Sequence, residues 1–228
     1  MSSRIRWLNV KCNVQKPLER ITEGMYDDEY TLGASSGFIT KRVTSSFVQG
    51  QYVERFQRKI QLIDPLGTEY STDTIEYIIT DFKFFVDSPE IEILNAPRSI
   101  APAINQIANI LGLGSVITPV SVSPSSWLEY AEGLNNICVK NAQFSRISLA
   151  ENVSAKVQIT GTVDVRSFFE LLAGSKSSFI DKLDVIGDLH GERIRFSLRE
   201  DGKAILNNHD DNVCLMLRDA LSNLISSK

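Results

Sequence analysis

The chain has 228 residues, 43% hydrophobic and 23% charged, with a net charge of −4. That suffices for one large domain or two small ones with a real core, and no 18-residue apolar run marks a transmembrane helix. Residues 1–60 hold 10 basic against 6 acidic side chains and residues 61–114 hold 2 against 8, so a local positive field can exist on an acidic protein.

Ile5 to Val14 mostly alternates, with a slip at Leu8, and predicts a strand with a bulge. Residues 17–37 are polar and turn-rich, ending in Gly33-Ala34-Ser35-Ser36-Gly37, and predict a loop. From Phe38 to Leu94 the pattern is that of a β-meander. Tyr52, Phe56, Ile60 and Leu62 fall on one side of a strand expected to be half-buried, opposite a largely polar side of Val53, Arg55, Gln57, Lys59 and Gln61. Asp64-Pro65-Leu66-Gly67 supplies turn chemistry. Ser99 is placed to cap a helix with Ile100, Ile104, Ile107 and Leu111 on one face, stopped by Gly112.

Gly112-Leu113-Gly114-Ser115 is the expected boundary between a β-rich unit, 1–114, and an α+β unit, 115–228. In the second, Val116–Val122 predicts a strand. Ser123-Pro124 opens a helix through Trp127, Leu128, Ala131 and Leu134. Ile137–Leu149 and Val153–Val163 predict two strands. Asp164 caps a helix with Phe168, Phe169 and Leu172, ended by Gly174. Leu183–Leu198 is extended, Asp201-Gly202 turns into Ala204-Ile205-Leu206, and Asp210 or Asp211 caps a last helix with Val213, Leu217, Leu221 and Leu224 on one face. The order β-α-β-β-α-β is that of a ferredoxin-like unit, which hosts many functions. The overall expectation is α+β.

The most catalytic-looking stretch is Gly187-Asp188-Leu189-His190-Gly191 with Asn208-His209-Asp210, fragments that look like a calcineurin-type metallophosphoesterase signature. That chemistry needs several carboxylates and histidines around two metals. His190 and His209 are the only histidines, and none follows. The fragments read instead as a turn and a helix start. No phosphate-cradling glycine loop and no nucleophile elbow occurs. Three widely spaced cysteines, Cys12, Cys138 and Cys214, fit core positions in a reducing, cytoplasmic setting, and Cys214 sits in an amphipathic helix rather than beside a base. No catalytic residue, metal or cofactor is therefore expected.

The candidate binding residues are basic. Lys41, Arg42, Arg55, Arg58 and Lys59 cluster early, with Arg58 pointing away from Arg55 and Lys59, and Arg193 and Arg195 alternate with Ile194 and Phe196 as a second stripe. Clustered cations suit nucleic-acid phosphates. The exposed edge of a meander also suits self-association, so a homo-oligomer is expected.

Val120-Ser121-Val122-Ser123-Pro124, then Phe168-Phe169-Glu170-Leu171-Leu172-Ala173-Gly174, Phe179 to Ile186 and the Arg195–Gly202 hairpin follow one another in an order that resembles the RexA-like phage-exclusion family over residues 116–206. The resemblance implies a non-enzymatic, dimeric protein that binds DNA without strong sequence preference in antiviral defence. The acidity of the chain departs from a dedicated DNA-binding domain. The expectation is a non-enzymatic nucleic-acid-binding protein. The alternative is a protein–protein adaptor or a structural subunit of a larger assembly, and a metal-dependent phosphoesterase ranks below both.

Overall fold

The computed structural model describes residues 2–63, 65–67, 69–151, 153–169 and 179–227. The protein is α+β with antiparallel strand pairing, and no described helix is long and apolar enough to cross a membrane. Two compact units form. One combines residues 1–10, 87–94 and 117–228, and the other combines 11–86 and 95–116. The last of the four passages between them, after residue 116, lies close to the expected boundary at 114. The N-terminal strand and residues 87–94 nevertheless belong with the C-terminal half. Their partners are remote in sequence, and no local periodicity announces them.

The larger unit contains β1 (Ser3–Lys11), β5 (Ile91–Leu94), α3 (Pro124–Glu129), β7 (Leu134–Ala150), β8 (Val153–Thr160), β9 (Phe179–Leu189), β10 (Glu192–Arg199), β11 (Lys203–Leu206) and α4 (Asp211–Ser226). Its strands run in the order β5-β1-β11-β10-β9-β7-β8, with β6 (Val116–Pro119) beside β1. This order departs from the ferredoxin-like β-α-β-β-α-β reading. The β7–β8 hairpin fits that reading, but β9 lies beside β7 and hairpins go on to link β9 to β10 to β11.

One face of this sheet is the core. Ile5, Trp7, Leu183, Val185, Phe196, Leu198, Ala204 and Leu206 are buried on it. Alternation explains the choice, most plainly for Ile5, Leu183, Phe196 and Leu198, each flanked along its strand by polar neighbours. α4 adds Val213, Leu217, Leu221 and Leu224, as the spacing predicts. Asp210 caps it, its carboxylate accepting from the Asn212 N–H at 2.8 Å and the Val213 N–H at 3.4 Å. Trp127 of α3 donates its indole N–H to the Leu217 carbonyl at 2.8 Å and meets Trp7 edge-on, centroids 5.5 Å apart.

One helix reading changes here. α3 stops at Glu129 instead of reaching Leu134, because Gly133 turns the chain (φ 80°) and Leu134 opens β7. Asp164 does accept the Arg166 N–H at 3.0 Å, ahead of a 3-10 turn, Arg166–Phe168, and the rest of the expected helix beyond Phe169 lies outside the described residues. Leu172 and Gly174 lie outside the described residues.

The smaller unit contains α1 (Pro17–Asp27), β2 (Ser36–Val43), β3 (Phe47–Ile63), β4 (Glu69–Phe85) and α2 (Ala101–Leu111). β2-β3-β4 is the predicted meander. The expected loop over 17–37 is instead largely helix. Pro17 fits a first turn, and Ile21 and Met25, one turn apart, are both buried. Gly24 and Gly50 allow the close approach of Ile110 and Met25 respectively. The half-buried strand extends only to residue 55. Tyr52 is buried, whereas Phe56, Ile60 and Leu62 are exposed.

Candidate nucleic-acid interface

The second face of the larger unit's sheet carries what the core face rejects. Strand alternation that buries Ile5 and Trp7 turns Arg4 and Arg6 the other way. Burial of Phe196 and Leu198 turns out Arg195, Ser197 and Arg199, and burial of Leu183 and Val185 turns out Lys182 and Asp184. Burial of Ala204 and Leu206 turns out Lys203 and Ile205.

The register then aligns these residues. Arg6 stands across from Lys203, Lys203 across from Arg199, and Arg199 across from Lys182. The row continues through Gln143 on β7 to Gln158 on β8. Four cations thus sit side by side on four neighbouring strands. At about 4.8 Å per strand the cationic part spans roughly 14 Å. The next row is Arg4, Ile205, Ser197, Asp184, Asn141 and Thr160. Two shorter rows lie beyond it, Arg195 with Ile186 and Cys138, and Arg193 with Asp188 and Asn135. None of these rows holds an aromatic ring.

Like charges directly opposite one another destabilise a sheet. Two carboxylates relieve the strain in part. Asp201 pairs with Arg199 at 3.4 Å and with Lys203. Asp184 accepts from Lys182, with a closest approach of 2.8 Å, from Asn141 at 2.8 Å and from Ser197. Burial works to raise the Asp201 carboxyl, but the hydrogen bond and charge of Lys203, with the charge of Arg199, outweigh it and hold it below its ordinary value. At Asp184 burial is likewise outweighed, by hydrogen bonds from Lys182, Ser197 and Asn141. Arg6 has no such carboxylate among the described residues, and its Nε is buried without a hydrogen-bond partner.

The basic residues singled out from the sequence fare unevenly. Arg193 and Arg195 lie exposed on this face. Lys41, Arg42, Arg55, Arg58 and Lys59 lie in the other unit. Lys41 pairs with Asp81 at 3.0 Å, Arg58 with Glu76 at 3.4 Å, and Arg42 sits over the Phe47 ring, 5.6 Å from its centroid. Lys59 stands across from Asp73, and Arg55 across from Tyr77. These five do not assemble into one cationic surface. Arg58 does point to the opposite face from Arg55 and Lys59, as alternation predicts. Arg4, Arg6, Lys182, Arg199 and Lys203 were missed. Their alternation with apolar residues was visible strand by strand, but the register that unites them was not.

The metallophosphoesterase fragments resolve into local structure. His190-Gly191 is the two-residue turn of the β9–β10 hairpin, with φ of 51° and 86°. His209 contacts Asp211 at 3.3 Å beside the α4 cap. Among the described residues no three His, Cys, Asp or Glu side chains converge as a metal site. No known protein family matches the chain, and no curated protein is similar to it.

Proposed function

We propose that this protein binds nucleic acid without sequence preference, through the phosphate backbone, on the polar sheet face of its larger unit. The observation that carries this reading is the row Arg6, Lys203, Arg199 and Lys182, each cation directly opposite the next. A fold gains nothing from such opposition, whereas a polyanion that neutralises it does. The row's span of roughly 14 Å covers about four phosphate steps along one DNA strand at ~3.4 Å of rise each. With no ring in these rows, bases have nothing to stack on, so recognition falls to charge and not to sequence.

A salt-dependent gel shift with generic duplex and single-stranded DNA and with RNA tests this reading. Binding at about 50 mM salt that fades by 200 mM is expected, and no shift at low salt would remove it. A role in phage exclusion, as the RexA-like resemblance implies, is a separate proposal. It predicts lower phage plating efficiency on cells expressing the protein than on cells lacking it.

A further inference from the structure

The cationic row on the larger unit has two ends, and they differ. Beyond Arg6 it meets β5, where the residue across from Arg6 is the buried Ile93. The row is closed on that side. Beyond Lys182 it runs on to Gln143 on β7 and Gln158 on β8. Burial of Ala142 and Phe144 turns Gln143 to the polar face. Val157 and Ile159, packed against the core, do the same for Gln158. Gln143 is half-buried there and Gln158 is exposed.

A glutamine amide offers N–H donors to a phosphate oxygen without adding charge. The other polar residues on these two strands are already engaged. Thr160 donates to Asn141 Oδ1 at 3.4 Å, and Asn141 donates to Asp184 at 2.8 Å. Among the described residues no side-chain hydrogen bond occupies either glutamine amide. Gln143, Gln158, Asn141 and Thr160 include no carboxylate, so this half of the face does not repel a polyanion. We infer that Gln143 and Gln158 are further contact residues for nucleic acid, and that the bound backbone runs one way from Arg6, out over β8. This rests on the proposed function. The track then spans six strands, roughly 24 Å at about 4.8 Å per strand, or about seven phosphate steps at ~3.4 Å of rise. The cations hold the first part of it and the amides the rest.

Fluorescence anisotropy of the full chain with DNA hairpins of increasing stem length, at about 50 mM salt, tests this. Wild-type affinity should rise up to stems of about eight base pairs and then level off. Gln143→Ala with Gln158→Ala should weaken binding of long stems by roughly threefold or more. Its salt slope should stay as in wild type, because no charge is lost, and stems of about four base pairs, which the cations alone span, should bind as before. Gln143→Lys with Gln158→Lys should steepen the salt slope by about 1.8. Gln57→Lys with Gln61→Lys, an equal charge change at exposed positions of the smaller unit, should not. If the wild type binds no nucleic acid at this salt, the proposed function itself falls. Three results would overturn this inference while leaving that function standing: a wild type that binds but gains nothing from stems longer than about four base pairs, a folded alanine variant that holds long stems like wild type, or equal slopes in the two lysine variants.

Discussion

Arg6 on β1 stands directly across from Lys203 on β11, in the same row that places Lys203 across from Arg199. Such opposition costs stability in the free protein and is relieved by an anion. Arg6→Gln should therefore weaken nucleic-acid binding and lower the salt slope by about 0.9, because one phosphate fewer is neutralised. Its folding stability should stay level or rise by up to about 1 kcal/mol. Salt titration by fluorescence anisotropy together with urea unfolding checks both halves. A loss of stability with unchanged binding would mark Arg6 as a fold residue.

On the proposed reading, Asp201 and Asp184 compete with phosphate for the row. Both have folded-state pKa values held below the ordinary 3.8, so the stability they contribute is present above that value. It is lost as pH falls below 3.8 through their lower folded-state values. Asp201→Asn should remove part of this acid sensitivity. At pH 7 it should cost under about 1 kcal/mol, since the pair is partly solvated, while tightening nucleic-acid binding. Melting temperatures from pH 2 to 7 and a parallel binding titration measure the two effects.

The turn that sets the β10–β11 register depends on Gly202. It has φ of 64°, and a Cβ there would sit 2.7 Å from Val120 Cβ and 3.0 Å from the Val120 carbonyl oxygen. The Gly202 carbonyl also accepts the Trp7 N–H at 2.9 Å. Gly202→Ala should therefore destabilise the protein by about 1–3 kcal/mol. Chemical denaturation reports this directly. The contrasting substitution Gly67→Ala, where no atom lies within 4 Å of the added Cβ, should cost less.

A buried polar contact supports the same unit. Trp7 donates its indole N–H to Glu92 at 3.1 Å, and Glu92 is 7% exposed. Burial pulls the Arg218 guanidinium below its ordinary value, against the raising influence of Asp219, Glu92, Asp87 and Glu90. Glu92→Ala would strand the Trp7 donor and remove charge from beside Arg218. A loss of about 2–4 kcal/mol in urea unfolding is expected. Glu92→Gln should recover part of it.

The sequence revealed elements better than neighbours. The face of α4 was legible because Val213, Leu217, Leu221 and Leu224 repeat at helical spacing. The meander was legible from alternation around Asp64-Pro65-Leu66-Gly67. α1 was hidden because Ile21 and Met25 are isolated among polar residues, and only the packing of Ile110 against Gly24 shows why the segment folds. The outer half of β3 misled for the opposite reason. Phe56, Ile60 and Leu62 have the alternation of a covered face without a cover among the described residues. The candidate interface was half visible. Arg193 and Arg195 announced an outward stripe, but Arg6 and Lys203 are joined only by pairing across nearly 200 residues of chain. Long-range register is a tertiary property that a single sequence does not display.

The central claim is that the row on the larger unit, and not the basic strand of the smaller one, holds nucleic acid. The direct measurement is binding of generic DNA and RNA at about 50 mM salt by two variants of equal charge change. One is Arg6→Gln, Lys182→Gln and Arg199→Gln. The other is Arg55→Gln, Arg58→Gln and Lys59→Gln. Loss of roughly tenfold or more in affinity and a salt slope smaller by about 2.7 are expected in the first variant, with near wild-type binding in the second. Equal losses in both, or a loss confined to the second, would contradict the assignment.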